Sequence, residues 1–121
     1  MIRKIECVCV PTKDIATSEA FYLSLGLRRG WIIERPQDDG TIWTLVGLTF
    51  PDAASSELVL SDNPEIDFTE IELAVDDVRA SYAALCGNPA VNWIREPFAT
   101  ESGHVAVMEA PDGNVFVLVG A

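Results

Sequence analysis

Thr12-Lys-Asp-Ile-Ala-Thr-Ser-Glu-Ala-Phe-Tyr-Leu-Ser-Leu-Gly-Leu27 follows a strand-like run, Ile2 to Val10, that Pro11 closes. Asp14 stands where a helix N-cap is wanted, because its carboxylate accepts from backbone N–H groups of the first turn. Ile15, Phe21, Tyr22 and Leu25 fall near one helical face. The spacing predicts a helix from Ile15 to about Leu25, with Phe21 and Tyr22 in the core. Gly26 follows, where a helix end favours a left-handed residue.

Outward from this passage, Leu27 to Glu34 reads as a strand, Pro36 to Gly40 as a turn, and Thr41 to Phe50 as a strand. Pro51 to Ser56 is a loop, and Glu57 to Ser61 a further strand. The order then restarts. Phe68 to Val75 reads as a strand, and Asp76 or Asp77 caps a helix running to about Cys86. Gly87-Asn-Pro89 ends that helix. Val91 to Arg95, His104 to Glu109 and Val115 to Val119 read as strands, with a tight turn at Pro111-Asp-Gly-Asn114. The pattern β-α-β-β-β thus occurs twice. Asp14 answers Asp77, Tyr22 answers Leu85, and Pro51-Asp52 answers Pro111-Asp112. The expectation is one domain over 1–121, with one module at about 1–62, a linker at about 63–67 and a second module at about 68–121. The fold class is α+β: the two modules pair into an open, cup-shaped mixed sheet with the helices outside. Each small sheet needs a second layer to bury its face.

The chain has 121 residues, 8 basic and 19 acidic, for a net charge of −11. Residues 1–63 carry 6 basic and 9 acidic side chains, residues 64–121 carry 2 and 10. Such a surface repels phosphate backbones and attracts cations, so no nucleic-acid partner is expected. No apolar run approaches a membrane span. The N-terminal segment is interrupted by Glu6 and Pro11 and does not read as a signal peptide, so a cytoplasmic protein is expected. The three cysteines, Cys7, Cys9 and Cys86, make no even disulfide framework. They read as small buried hydrophobes. No glycine-rich phosphate loop or nucleophile–histidine spacing is present, so no nucleotide cofactor is expected.

Thr12 to Leu27, Asp76-Asp-Val-Arg-Ala-Ser-Tyr-Ala-Ala-Leu85, Trp93-Ile-Arg-Glu-Pro97 and Pro111-Asp-Gly-Asn114 together resemble the vicinal oxygen chelate superfamily of glyoxalases, bleomycin resistance proteins and extradiol dioxygenases. The resemblance implies two βαβββ modules whose sheets form a cup. In the enzymes, that cup holds a divalent metal, bound by His, Gln or Glu from the first and last strand of each module. The metal acts as a Lewis acid on a chelating substrate. Carried onto this chain, the four positions are Cys7, Glu57, Glu70 and Val117. One has no donor atom and one is a thiol, which hard cations rarely use. Glu57 and Glu70 remain as the candidate metal ligands.

Strand alternation places Cys7 and Cys9 on one face and Val8 and Val10 on the other. Ile71, Leu73 and Val75 would pack on the helix, which turns Glu70 and Glu72 toward the cup. Glu57 has the same orientation, unless the register slips by one residue. Trp31, Trp43 and Trp93 lie on strands, where each either packs in the core or offers a face to a planar or cationic ligand. The candidate ligand-binding set is therefore Cys7, Cys9, Trp31, Trp43, Glu57, Glu70, Glu72, Trp93 and Val117. His104, the sole histidine, is expected at the rim.

The leading expectation is a protein that binds a small cationic or aromatic molecule in the cup, with no cofactor and no metal. It resembles the bleomycin-binding members, which lack the ligand set. The alternatives are a metal-dependent lyase or dioxygenase with a degenerate site, and a ligand-free regulatory or interaction domain. A homodimer is expected on resemblance alone.

Overall fold

A computed structural model describes all of residues 1–121. Eight strands and two helices follow in the order β1 (Ile2–Pro11), α1 (Ile15–Ser24), β2 (Arg28–Pro36), β3 (Ile42–Thr49), β4 (Glu57–Ser61), β5 (Glu70–Val75), α2 (Val78–Leu85), β6 (Asn92–Thr100), β7 (Gly103–Glu109) and β8 (Val115–Gly120). The doubled β-α-β-β-β pattern and the α+β class are thus present. The chain divides into two compact units, Cys7–Thr69 and Glu70–Ala121 with Met1–Glu6. The strand β1 belongs to both, its N-terminal part to the second and its C-terminal part to the first. No helix is long and apolar enough to cross a membrane.

In the unit Cys7–Thr69 the strand order is β2-β3-β4-β1. β1 and β4 run parallel, with Cys7 opposite Glu57 and Cys9 opposite Val59. β2/β3 and β3/β4 are antiparallel. Asp14 caps α1 as its position demands: its carboxylate accepts from Thr17 N–H at 3.1 Å and from the Thr17 hydroxyl at 2.9 Å. These bonds hold the Asp14 carboxyl below the usual carboxylate range. Leu27, Val46, Leu48 and Leu60 form the buried cluster on the helix side, with Val10, Ile15, Tyr22 and Leu58 packed against it.

Phe21 departs from expectation. Tyr22 packs inward but Phe21 is 57% exposed. On a helix of 3.6 residues per turn, Ile15 and Tyr22 share a stripe that leaves Phe21 about 100° away from Tyr22. Its ring instead meets Tyr22 edge-on at 5.1 Å.

In the other unit the order is β1-β5-β8-β7-β6. β5 and β8 are parallel, as β1 and β4 are, and Glu72 lies opposite Val117. Asp77 caps α2 through Ala80 N–H at 2.9 Å, in nearly the same backbone conformation as Asp14. Val75, Val78, Ala106 and Leu118 form the buried cluster, and Leu73, Leu85, Trp93 and Met108 pack on it. β6 does not stop at Arg95 but continues through Pro97 to Thr100, with register breaks between Trp93 and Arg95 and between Arg95 and Phe98. As an edge strand it tolerates a proline at such a break, where no ladder N–H is needed. Cys86 is exposed, whereas Cys7 and Cys9 are buried. It sits at the C-terminal cap of α2, beyond the stripe that carries Val78 and Leu85 inward.

Candidate functional site

The face of the first unit turned away from α1 is built by strand alternation. If Leu48, Leu58 and Leu60 face the helix, then Gly47, Thr49, Glu57, Val59 and Ser61 face the other way. Cys7, Cys9, Leu45 and Val59 make its buried floor, and Trp31, Ile33 and Trp43 pack against that floor. Cys7 and Cys9 are 3% and 6% exposed. They serve as small apolar filling, which suits two cysteines two residues apart on one strand face.

Trp31 owes its position to an irregularity. The register of β2 against β3 shifts between Arg29 and Trp31. Arg29 therefore turns to the helix side, where it makes two 2.6 Å bonds to the Glu19 carboxylate. That pair holds the Glu19 carboxyl below its ordinary range. Trp31 turns to the opposite face and lies flat over Gly47. A Cβ at Gly47 would enter the indole ring, with Cδ2 only 2.6 Å away. The glycine is there so that the ring can approach the backbone.

The Trp31 indole N–H donates to both carboxylate oxygens of Glu57, at 3.1 and 3.3 Å. A carboxylate has about four lone-pair sites. The indole occupies one edge and leaves the remainder for another donor. Glu57 is half-buried beside Cys7, with which it is in register. Trp43 stands further along the face. Its N–H donates to the buried Ser61 hydroxyl at 2.8 Å, and the Arg35 guanidinium lies 4.7 Å from its ring centroid. A cation thus already rests on one indole face of this sheet.

In the second unit, Glu70 and Glu72 share the face of β5 opposite the helix side, and Val117 lies beside Glu72. Burial, and then the like charge of Glu72, hold the Glu70 carboxyl above the usual carboxylate range. Trp93 is not part of this group. It sits on the helix side, in T-shaped contact with Tyr82 at 4.6 Å, with its buried Nε1 lacking a hydrogen-bond partner. His104 is half-buried, and its Nδ1 also lacks a partner. It shares a face with Ala106 of the helix-side core by alternation along β7.

The structure therefore brings Cys7, Cys9, Trp31, Trp43 and Glu57 together within one unit, and sets Glu70, Glu72 and Val117 together within the other. No three His, Cys, Asp or Glu side chains cluster to share an ion, and Val117 has nothing to ligate with. Sequence reasoning missed Gly30, Gly47, Ser61 and Arg28 as parts of the first face. An isolated glycine inside a strand pattern was the available signal for Gly47.

No protein-family model and no curated protein matches the chain. Solved structures do. A hypothetical protein from Bacillus halodurans C-125 superposes with a TM-score of 0.79 at 17% identity, covering 98% of this chain and 94% of that one. A glyoxalase/bleomycin resistance protein/dioxygenase superfamily member from Vibrio splendidus 12B01 gives 0.67 at 18% identity and covers 100% of both chains. A methylmalonyl-CoA epimerase from Mycobacterium tuberculosis gives 0.74 at 16% identity, covering 98% of this chain and 88% of that one. The chain has the vicinal oxygen chelate fold that its motifs imply. Likeness at this level of identity concerns the fold alone.

Proposed function

We propose that the chain binds a small cationic molecule with an aromatic portion on the helix-opposed face of the unit Cys7–Thr69, without a resident metal. The observation that carries this reading is the Glu57 carboxylate, set beside an apolar floor and anchored at one edge by the Trp31 indole N–H. An ammonium approaching the free edge would meet a charge-assisted hydrogen bond in partly desolvated surroundings, where it is worth more than in water. The indoles of Trp31 and Trp43 supply apolar area for a planar group. The net charge of −11 favours the approach of a cation.

Calorimetric titration with tryptamine in metal-depleted buffer tests the proposal. Binding is expected in the wild type, and Glu57→Gln should weaken it by tenfold or more while leaving the unfolding temperature within a few degrees. If tryptamine and related amines bind neither protein, the ligand-free interaction domain becomes the better reading. If binding requires added nickel, manganese, iron or zinc, the metal-dependent enzyme does.

A further inference from the structure

We infer that the ligand of this face is a zwitterion, whose ammonium meets Glu57 and whose carboxylate meets Arg28 in an adjoining pocket. The inference rests on the reading of Glu57 as a cation-binding group and adds a second, oppositely charged subsite to it.

A pocket of about 360 Å³ lies at the C-terminal end of α1, lined by Gly26, Arg28, Thr49, Phe50 and Pro51. Arg28 and Thr49 are paired in register across β2 and β3, two rungs from the Trp31–Gly47 pair. The Thr49 hydroxyl donates to the Arg28 carbonyl at 3.3 Å. The two neighbouring arginines have different fates. Arg29 is engaged by Glu19, whereas no ion pair engages Arg28. A guanidinium with no ion-pair partner lining the pocket supplies the positive charge an anion needs, in a chain that otherwise has 19 carboxylates to 8 basic residues. Its planar fork suits a carboxylate. Phe50 and Pro51 give the pocket an apolar wall.

Gly30 connects this pocket to Glu57. A Cβ on Gly30 would lie 3.0 Å from Thr49 Cγ2 and 3.5 Å from Glu57 Oε2. Thr49, which lines the pocket, and the Glu57 carboxylate therefore close on the same backbone point, which puts the pocket next to the carboxylate. Gly30 is not among the glycines with positive φ, so backbone conformation does not demand a glycine there. The demand is for space. Arg28 in the pocket and the Glu57 carboxylate beside it, with the Trp31 indole bonded to that carboxylate, match a small amino acid or a related ammonium carboxylate that carries a planar group.

The test is a calorimetric comparison of tryptamine, L-tryptophan and indole-3-propionate on the wild type, Arg28→Gln, Glu57→Gln and Gly30→Ala, with folding checked by circular dichroism. The wild type should bind tryptophan at least tenfold tighter than tryptamine, and tighter than indole-3-propionate. Arg28→Gln should bring tryptophan and tryptamine to within about twofold of each other. Gly30→Ala should weaken tryptophan most, because its Cβ presses on both Thr49 and the Glu57 carboxylate. Tryptophan binding no tighter than tryptamine, or a preference that survives Arg28→Gln, overturns the zwitterion inference while the cation site stands. Indifference of tryptamine to Glu57→Gln defeats the cation site itself, and with it the zwitterion.

Discussion

Gly47→Ala adds one methyl group under the Trp31 ring, at a position where the new Cβ falls within 2.6 Å of Cδ2 and nearer still to Cε2 and Nε1. Carbon atoms pack best at about 3.5–4.0 Å, so the indole must retreat by roughly 1 Å or more, or β2 must part from β3. Overpacking of this kind costs about 1–3 kcal/mol. For a chain of this size, about 2 kcal/mol lowers the unfolding temperature by roughly 6–12 °C. The retreat also carries Nε1 away from Glu57 and loosens the 3.1 Å hydrogen bond. Thermal unfolding followed by circular dichroism measures the first effect, and tryptamine titration the second. Gly87→Ala is the control, because a Cβ there meets nothing within 4 Å and its φ lies outside the left-handed region. It should be neutral or slightly stabilising. A Gly47→Ala protein that melts within 1 °C of the wild type and binds tryptamine unchanged would refute the placement of Trp31 on Gly47.

Other expectations follow from the same contacts. Trp31→Phe keeps most of the ring but deletes the donor to Glu57, so tryptamine affinity should fall about three- to tenfold, read by calorimetry. Leu118→Ala removes a fully buried side chain from the second unit's core and should cost about 2–5 kcal/mol in urea unfolding. Glu70 is held above its ordinary value of 4.5 by burial and by Glu72. The folded state therefore retains a proton that the unfolded chain releases, and stability falls as pH rises through the window above 4.5. Glu70→Gln should remove that slope and raise the unfolding temperature at pH 7, which melting curves across pH 4–8 would show.

Much of the fold was legible because local rules agreed along the chain. Asp14 and Asp77 each follow a strand and precede an apolar helical stripe, and both cap their helices as read. Glu57–Ser61 was delimited by the polar loop before it, and its alternation turned Glu57 away from the helix. Readings failed where tertiary context overrode periodicity. The strand from Val91 reads as ending at Arg95, ahead of Pro97, but an edge strand with broken register carries that proline. Phe21 looked like core, but the single helix on that side reaches the sheet only along the Ile15–Tyr22 stripe.

The candidate site was legible as residue types and less so as an arrangement. Counting by twos from Arg28 puts Gly30, not Trp31, on the face with Glu57. The irregularity at Arg29–Trp31 resets the count and puts both there. Nothing in composition announces such an insertion, so the Trp31–Glu57 hydrogen bond could not be read in advance. Trp43 is half fixed by a partner the sequence does not reveal, the buried Ser61 hydroxyl. Trp93 illustrates the converse. Its strand position left both faces open, and packing against Tyr82 and the α2 core settled the helix side.

The most direct test of the account is the affinity of tryptamine for the wild type and for Glu57→Gln, each measured with and without EDTA. The account predicts the same dissociation constant with and without the chelator, and a loss of at least tenfold on Glu57→Gln. Binding that EDTA abolishes, or an affinity that Glu57→Gln leaves unchanged, would contradict it.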